Sequence, residues 1–380
     1  MMLQELHQLF KIKLLEAENN TGKFNSRVDK AVSAIQTGKA IYIWPYAQVG
    51  KEIYKRLTKE GYTNIFRLDI QANHAEGIYT PDEIMTGRTT DGVLIISSLV
   101  YVQNIYYKAK EMGFLSVVMY YEIVEPLGID QQAFPDNFHI ETIRGLSRHL
   151  LSEKDKYMNM YHHLEDDSSR ICFLNNMLFR LTGDVSYIFD KDETVEQYFN
   201  ELTTPFVQEM VFIDGGGFIG DTLEHFLRCS KNTFQSYYLF EPDPVCFTRA
   251  QKVTNDTRVR YIQKGLYSEP RIFFFESSGG TPGGFVSEHG NMKIELTSID
   301  HEVDEKVDFI KMDIEGAERE ALRGASQTII TYKPKLAICL YHKYDDFTEV
   351  FDLVYSMNEN YKFYIRHHQN NFAETVLYAI

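Results

Sequence analysis

A short glycine-rich segment, residues 211–221, constrains the fold of this chain more than any other feature. It reads Val-Phe-Ile-Asp-Gly-Gly-Gly-Phe-Ile-Gly-Asp, so an apolar strand ends in Asp214, three glycines follow, and a helix begins near Asp221. A second apolar run, residues 237–240, then ends in Glu241. Glycines at a strand-to-helix turn let the backbone approach a ligand closely. The pattern predicts an α/β fold that binds a ligand at this turn.

The charges beside the turn indicate which ligand it would bind. An acid at the end of the second strand can hold two ribose hydroxyls, so Glu241 favours an adenosine-containing cofactor. The carboxylate of Asp214 would repel a diphosphate at close range and would suit a cationic ligand. S-adenosylmethionine carries both a sulfonium and an ammonium, and we predict that it is the cofactor. A glycine turn alone can also be a tight turn without a ligand, and Glu241 makes that alternative less favourable.

Length, charge and cysteine use limit the class of protein. A chain of 380 residues predicts two domains, and its net charge of −15 argues against a nucleic-acid partner. The four cysteines have no metal-ligand spacing, which is typical of reduced thiols. Residues 1–18 lack the apolar core of a signal peptide, and no apolar stretch is long enough to span a bilayer. We expect a cytoplasmic protein without a membrane span, and a homo-oligomer is compatible with this sequence.

The order of apolar patterns divides the chain into three parts. From Lys39, strand-like runs alternate with helical ones, which is the βαβ order of a parallel sheet. We predict a degenerate Rossmann-like α/β domain with an N-terminal helix at residues 1–125, a helical linker at 126–205, and a second Rossmann-like domain at 206–380. The first domain is degenerate because its first turn, residues 45–50, keeps only the third glycine of the dinucleotide fingerprint.

A segment rich in glycine and serine, residues 277–284, separates two strand patterns at 271–275 and 292–296. We interpret the two strand patterns as an inserted hairpin. The segment between them is long enough to form a lid or substrate loop, and a surface loop without a role is the equal alternative.

The residues that follow the strands of the second domain are the candidates for chemistry, since ligands of open α/β sheets lie beyond the carboxyl ends of the strands. Asp313 follows the fourth strand and His342 follows the fifth. Methyl transfer to an alcohol needs a proton acceptor, which contributes roughly 10²–10⁴-fold. We name His342 and Asp313 as catalytic candidates, because an unperturbed histidine titrates in the right range. Both could also share a divalent cation with Glu315, but no spacing rule requires it and we predict no metal.

Several motifs of the C-terminal half resemble the FkbM family of S-adenosylmethionine-dependent methyltransferases. They are residues 212–222, 240–243, 308–318, 322–325 and 334–343, in this order. The resemblance covers about residues 206–380 and excludes residues 1–125. It implies a seven-stranded methyltransferase sheet with an antiparallel last strand, and O-methylation of hydroxyls on sugars or secondary metabolites.

The resemblance and the strand ends together give a set of cofactor-binding residues. We predict contacts from Asp214, Gly215, Gly216, Gly217, Phe218, Gly220, Asp221, Thr222, Glu241, Pro242, Gly265, Leu266 and Asp313. The motifs do not fix catalytic roles, so those of Asp313 and His342 rest on the strand-end argument alone.

The leading hypothesis is therefore an O-methyltransferase that acts on a small molecule or a glycan, as in polysaccharide biosynthesis, with the N-terminal domain presenting the substrate. One alternative is an NAD(P)-dependent sugar-nucleotide oxidoreductase that uses one of the two glycine turns. Another is a non-catalytic binding protein with a methyltransferase-like domain. Binding of S-adenosylhomocysteine or of NAD(H) would distinguish the first two.

Overall fold

A computed structural model of the chain describes residues 2–19, 26–85, 91–98, 101–124, 126–129, 143–189, 196–231, 233–277, 279–280, 283–370 and 373–380. The chain forms two compact units, one made of Met1–Lys154 with Leu174–Asp190 and the other of Asp155–Phe173 with Lys191–Ile380. The domain borders that we placed after residues 125 and 205 stay predictions. None of the helices in these described ranges is long and apolar enough to cross a bilayer.

The first unit contains a five-stranded parallel sheet. Its strands are β1 (Ile41–Trp44), β2 (Ile65–Leu68), β3 (Ile78–Tyr79), β4 (Val93–Ile96) and β5 (Ser116–Met119). They lie in the order β3-β2-β1-β4-β5, and every pair is parallel. This is a Rossmann-like arrangement, and the sequence patterns located every strand except the two-residue β3.

The helices of the first unit are α1 (Leu3–Asn19), α2 (Ser26–Gln36), α3 (Gln48–Lys59), α4 (Pro81–Met85), α5 (Val102–Glu111), α6 (Tyr120–Val124) and α7 (Ile143–Ser152). Helices α8 (Lys154–His162) and α9 (Asp167–Thr182) have residues in both units. Much of the predicted linker at 126–205 is helical, but residues 130–142 and 190–195 of it lie outside the described part.

The turn after β1 explains why one fingerprint glycine remains in the first unit. A Cβ at Gly50 would lie 2.4 Å from the carbonyl oxygen of Pro45 and 3.2 Å from a methyl group of Ile43. Gly50 therefore serves the close packing of α3 against β1, which is the role of the third fingerprint glycine. The first unit therefore has the glycine that serves helix packing, Gly50, but lacks the two glycines that would approach a diphosphate.

The second unit contains the predicted seven-stranded sheet. Its strands are β6 (Met210–Gly215), β7 (Phe234–Phe240), β8 (Val259–Ile262), β13 (Phe309–Met312), β14 (Lys335–Cys339), β15 (Phe363–His367) and β16 (Thr375–Ala379). They lie in the order β15-β16-β14-β13-β6-β7-β8, and the last strand β16 is antiparallel to both of its neighbours. The expected methyltransferase sheet with an antiparallel last strand is confirmed.

The helices of this unit connect the strands. They are α10 (Asp221–Cys229), α11 (Pro244–Ala250), α12 (Ile299–Glu302), α13 (Glu318–Arg323), α14 (Ser326–Tyr332) and α15 (Asp346–Met357). Helix α11 begins at Pro244, and the side chain of Asp243 accepts from the backbone of Val245 and Cys246. Proline in the first turn and an aspartate cap are favourable helix-start features.

A small second sheet forms between β8 and β13 in the chain. Its strands are β9 (Gly265–Leu266), β10 (Arg271–Glu276), β11 (Phe285–Val286) and β12 (Met292–Thr297), in the order β11-β10-β12-β9. The antiparallel pairing of β10 with β12 confirms the inserted hairpin. Ser278, Thr281 and Pro282 of the predicted loop lie outside the described residues.

The central strands of the seven-stranded sheet are fully buried. Every residue of β6 and β13 is buried, as expected for parallel strands covered on both faces. In the register of the sheet, Asp214 lies beside Lys311 and Gly215 lies beside both Met312 and Phe240. The loops after β6, β7 and β13 therefore start at one edge of the sheet.

Candidate functional site

A cavity of about 300 Å³ lies within the second unit at this edge of the sheet. Nine of the predicted cofactor residues line it: Gly216, Phe218, Asp221, Thr222, Glu241, Pro242, Gly265, Leu266 and Asp313. The other predicted site residues, Asp214, Gly215, Gly217, Gly220 and His342, are not among its lining residues. The structure thus brings most of the predicted residues to one cavity.

The glycines of the turn after β6 allow the backbone to pack against its neighbours. Gly216 has a φ of 76°, and a Cβ there would lie 1.9 Å from the carbonyl oxygen of Asp313. A Cβ at Gly217 would lie 2.3 Å from the side chain of Leu239. The amides of Gly216 and Gly217 both donate to the carbonyl oxygen of Phe240, at 3.0 Å each. No residue with a side chain fits these two positions, so the turn is held tight at the floor of the cavity.

Glu241 is nearly buried, with an exposed fraction of 7%, yet it lines the cavity. One carboxylate oxygen accepts the amide of Phe218 at 2.9 Å and the other accepts the amide of Asp243 at 2.8 Å. Burial raises the pKa of Glu241 to about 7. The amides fix the carboxylate in place, and the lone pairs that remain can accept hydroxyls from a ligand.

Asp214 lies beneath the cavity and is paired with a lysine. Its side chain is completely buried, one oxygen lies 2.9 Å from Lys311 Nζ, and the other accepts the hydroxyl of Tyr237 at 2.6 Å. Lys311 also donates to the carbonyl oxygens of Gly215 and Gly216, at 3.1 and 2.7 Å. Burial lowers the pKa of Lys311, but the carboxylates of Asp214 and Asp313 outweigh burial and raise it. The charge of Asp214 is therefore paired with Lys311 inside the protein. The geometry does not offer the direct attraction between Asp214 and a cationic ligand that we expected from the sequence.

Three of the carboxylates that line the cavity lie just after β13 or just before β16. Asp313, Glu315 and Glu374 line it together, and we name them the carboxylate wall. The hydroxyl of Tyr341 bridges two of them, since it lies 2.8 Å from Asp313 Oδ1 and 3.2 Å from Glu374 Oε1. The carboxylate wall gives this part of the cavity the negative charge that we had expected from Asp214.

Each member of the carboxylate wall has different partners. Asp313 also accepts the hydroxyl of Tyr198 at 3.1 Å, and Glu374 accepts the side-chain amide of Gln197 at 2.5 Å. Burial opposes ionisation of Asp313, but His342, Lys311 and the tyrosine hydroxyls hold its pKa below the ordinary value. Burial raises the pKa of Glu374 to about 7.

His342 lies behind the carboxylate wall. Its Nδ1 is 2.9 Å from Glu318 Oε1, and its Nε2 is 3.3 Å from Asp313 Oδ1 and 3.5 Å from Glu315 Oε2. Burial lowers the pKa of His342, but Glu318, Asp313 and Glu315 together outweigh burial and raise it to about 10. At neutral pH His342 is therefore an imidazolium ion, which cannot accept a proton. The geometry favours a role in positioning Asp313 and Glu315 over the catalytic role that the sequence suggested.

Left-handed backbone is concentrated at the cavity. Of the seven non-glycine residues with positive φ in the described ranges, four line the cavity: Tyr198, Phe218, Glu315 and Glu374, with φ of 65°, 42°, 54° and 62°. Such conformations are unfavourable for residues with a Cβ and are commonly found at binding and active sites. Three of these residues present a carboxylate or a hydroxyl to the cavity or to the carboxylate wall.

The inserted hairpin covers another side of the cavity. Phe275, Gly283, Gly284 and Val286 line it, and the hydroxyl of Ser277 donates to Asp243. Asp243 also lines the cavity, so this hydrogen bond ties the end of β10 to the loop after β7. The role of the glycine-rich segment as a lid or substrate loop stays a prediction.

Sequence reasoning missed Gln197, Tyr198, Lys311, Tyr341 and Glu374. A signal existed for Lys311, since a lysine in the middle of an apolar buried strand needs a buried partner. A signal also existed for Glu374, because the antiparallel β16 begins at the edge where the other strands end. Gln197 and Tyr198 precede the sheet in the chain, and only the tertiary structure brings them to the cavity.

One family model matches much of the second unit. Residues 214–365 match the family model of the methyltransferase FkbM domain, which contains the glycine turn, Glu241, Asp313 and His342. This part of the chain is therefore similar to an FkbM methyltransferase domain, as the motifs indicated. No curated protein matches the chain.

One solved structure resembles the chain over its whole length. It is the methyltransferase FkbM from Methylobacillus flagellatus KT, with a TM-score of 0.79, 20% identity and coverage of 100% of both chains. At this identity the likeness shows the shared fold. A putative rRNA-methylase from Clostridium thermocellum (TM-score 0.32, 11% identity, 46% of this chain and 87% of that one) and LepI in complex with SAM (TM-score 0.29, 12% identity, 64% of each chain) are much less similar.

Proposed function

We propose that this protein is an S-adenosylmethionine-dependent O-methyltransferase that acts on a hydroxyl of a sugar, a glycan or a secondary metabolite. The match to the methyltransferase FkbM domain supports methyl transfer in general. The observation that carries the proposal is that Glu241 and the carboxylate wall line the same cavity. Glu241 suits the ribose of an adenosine, and the carboxylate wall suits a positive charge and a hydroxyl.

The residues at the cavity fit this cofactor. The turn at Gly216 and Gly217 leaves no room for a Cβ, because it packs against the carbonyl oxygen of Asp313 and the side chain of Leu239. Glu241 would hold the ribose hydroxyls, and Gly265 and Leu266 would lie beside the base. The carboxylate wall would attract the sulfonium and ammonium charges. When bound, S-adenosylmethionine supplies a methyl group on a positively charged sulfur.

The same wall restricts the acceptor. Asp313, Glu315 and Glu374 would repel a phosphate or carboxylate near the reacting hydroxyl. Lys311 is the only basic residue among the lining residues, all of which lie in the described part, and it is bonded to Asp214 and two carbonyl oxygens. The reacting end of the acceptor is therefore neutral, as the hydroxyl-bearing carbons of most sugars are.

The carboxylate wall also argues against the oxidoreductase alternative at this site. A dinucleotide would bring a diphosphate to a cavity lined by five acidic residues in addition to Glu241, namely Asp221, Asp243 and the three of the carboxylate wall. Repulsion between these carboxylates and the diphosphate disfavours binding of a dinucleotide. A non-catalytic binding protein remains the alternative that only an assay of methyl transfer can remove.

Methyl transfer can be tested with S-adenosylmethionine that carries a radiolabelled methyl group. The acceptors would be neutral methyl glycosides of glucose, mannose, rhamnose and fucose, a UDP-sugar, and the 6-phosphate of the methyl glucoside as an anionic counterpart. We expect label in a neutral acceptor and much less label in its phosphorylated counterpart. Cofactor binding without label in any acceptor pool, including a cellular glycan extract, would favour a binding protein.

A further inference from the structure

We propose that Glu315, rather than His342 or Asp313, is the catalytic residue that accepts the proton of the acceptor hydroxyl. This inference rests on the proposed methyltransferase function of the same cavity. It is drawn from the backbone geometry at the end of β13, from the partners of each carboxylate, and from the burial of His342.

The backbone at Glu315 is shaped to place a carboxylate in the cavity. Glu315 has a φ of 54° and the next residue, Gly316, has a φ of 91°. Two successive left-handed residues turn the chain sharply between β13 and α13. Glutamate at such a position is unfavourable compared with glycine, and the side chain it contributes lines the cavity with an exposed fraction of 33%.

Among the described residues, Glu315 has the fewest side-chain partners of the carboxylate wall. Asp313 interacts with two tyrosine hydroxyls as well as His342, and Glu374 is bonded to Gln197 and Tyr341. Glu315 interacts with His342 at 3.5 Å and with the backbone amide of Gly283. Its lone pairs are therefore less occupied than those of Asp313 and can accept a hydroxyl, and the amide of Gly283 connects it to the hairpin that covers the cavity.

His342 cannot replace Glu315 as the proton acceptor. Its side chain is 3% exposed, does not line the cavity, and lies between Glu318, Asp313 and Glu315. As an imidazolium ion it holds Asp313 and Glu315 in place, which is a positioning role.

The groups that face Glu315 set its acidity. Burial raises its pKa, His342 opposes this, and Asp313 and Glu318 raise the pKa further, to about 7. The side chain of Lys343 lies close to the next residue, since its Cε would be 3.0 Å from a Cβ at Gly316. A carboxylate with this pKa is ionised in about half of the molecules at neutral pH and is a much better proton acceptor than an ordinary one.

The proposed reaction is a displacement at the methyl carbon of the donor. The acceptor oxygen forms a bond to the methyl carbon, and the bond between that carbon and sulfur breaks with its electron pair left on sulfur. The O–H bond of the acceptor breaks, and its proton passes to a carboxylate oxygen of Glu315 and then to water.

Two measurements test this assignment. Glu315→Gln should lower kcat by roughly 10²–10⁴-fold with the labelled donor and whichever methyl glycoside the native protein methylates. Its affinity for S-adenosylhomocysteine should stay within about threefold of the native value. Glu315→Asp should recover part of the rate, and Glu320→Gln, an exposed change on α13, should leave it unchanged. This control separates the effect of changing Glu315 from the effect of removing any acidic side chain near this loop.

The second measurement does not depend on the acceptor. In protein labelled with ¹³C at the glutamate carboxyl, the signal that disappears in Glu315→Gln should titrate with a midpoint near neutral pH. A midpoint near the ordinary glutamate value of about 4.3 would overturn the assignment, as would a native kcat in Glu315→Gln across pH 6–9. If the native protein binds no S-adenosylhomocysteine, the proposed function fails instead, whatever the titration shows.

Discussion

The ammonium group of Lys311 lies 2.9 Å from a carboxylate oxygen of Asp214, and both side chains are buried beneath the glycine turn. Lys311 also reaches the carbonyl oxygens of Gly215 and Gly216. The pair therefore links two neighbouring strands, β6 and β13, to the backbone that forms the floor of the cavity. Removing one member would leave a buried charge without its partner.

Lys311→Met tests this pair. We expect the free energy of unfolding to fall by about 3–5 kcal/mol, because Asp214 would then be buried without a counter-charge. Adding Asp214→Asn should recover part of the loss, since the asparagine is neutral and can still accept from Tyr237. Chemical denaturation measures both. Lys306→Met is the matched control, because the Lys306 side chain is 67% exposed where it pairs with Asp308, and pairs of solvent-exposed lysines contribute only about 0–1 kcal/mol. Equal losses for the two lysines would contradict the structure.

Gly216→Ala tests the floor of the cavity. The added Cβ would meet the carbonyl oxygen of Asp313, so the turn must shift, and S-adenosylhomocysteine affinity should fall at least tenfold. Gly61→Ala has a similar left-handed φ, 90°, but open space around the new Cβ. This control should show only the cost of the backbone conformation, about 1–2 kcal/mol of stability, with native affinity. Native affinity in Gly216→Ala would show that the turn does not border the cofactor.

The role of Glu241 can be measured as a pH dependence. Because its pKa is about 7, the ionised form is lost as the pH falls from 8 to 6, and with it the stronger acceptor for ribose hydroxyls. Native affinity for S-adenosylhomocysteine should therefore be higher at pH 8 than at pH 6. Glu315 and Glu374 titrate in the same range, so the part due to Glu241 is the difference between the native protein and Glu241→Gln. That difference should be about 10–100-fold at pH 8 and smaller at pH 6. A pH-independent difference would rule out this role.

The strand-end rule predicted much of the site from the sequence, because the ends of parallel strands meet at one edge. Gly216, Glu241 and Asp313 were found in this way. The role of Asp214 could not be found, since a carboxylate beside glycines gives no sign of the lysine on the neighbouring strand that neutralises it. The position of His342 in the sequence was misleading for a similar reason. The sequence shows a histidine at a strand end, but it does not show the three carboxylates that raise the pKa of this histidine.

The fold was more predictable than the chemistry. Buried parallel strands such as β6 and β13 give continuous apolar runs, and both were located within one or two residues. The two-residue β3 has too few positions to show a pattern. The left-handed φ of Glu315 and Glu374 is set by tertiary contacts, since the sequence shows a glutamate where a glycine would be expected.

His342 should contribute to stability in a pH-dependent way. Its pKa is raised from about 6.5 in the unfolded chain to about 10 in the folded protein, so its contribution is complete below about pH 6.5 and is lost as the pH rises through 10. The stability difference between the native protein and His342→Gln should therefore shrink from pH 7 to pH 10.5, by urea denaturation. His289→Gln, on the exposed turn of the hairpin, is the control and should show little difference throughout. A difference that grows with pH would contradict the ionised state of His342.

The most direct test of the whole account is calorimetric titration of the full chain with S-adenosylhomocysteine and, in parallel, with NAD⁺. We expect micromolar binding of S-adenosylhomocysteine that is weakened in Glu241→Gln, and no heat from NAD⁺. Binding of NAD⁺ alone, or S-adenosylhomocysteine binding that is unchanged in Glu241→Gln and Gly216→Ala, would contradict the assignment of this cavity.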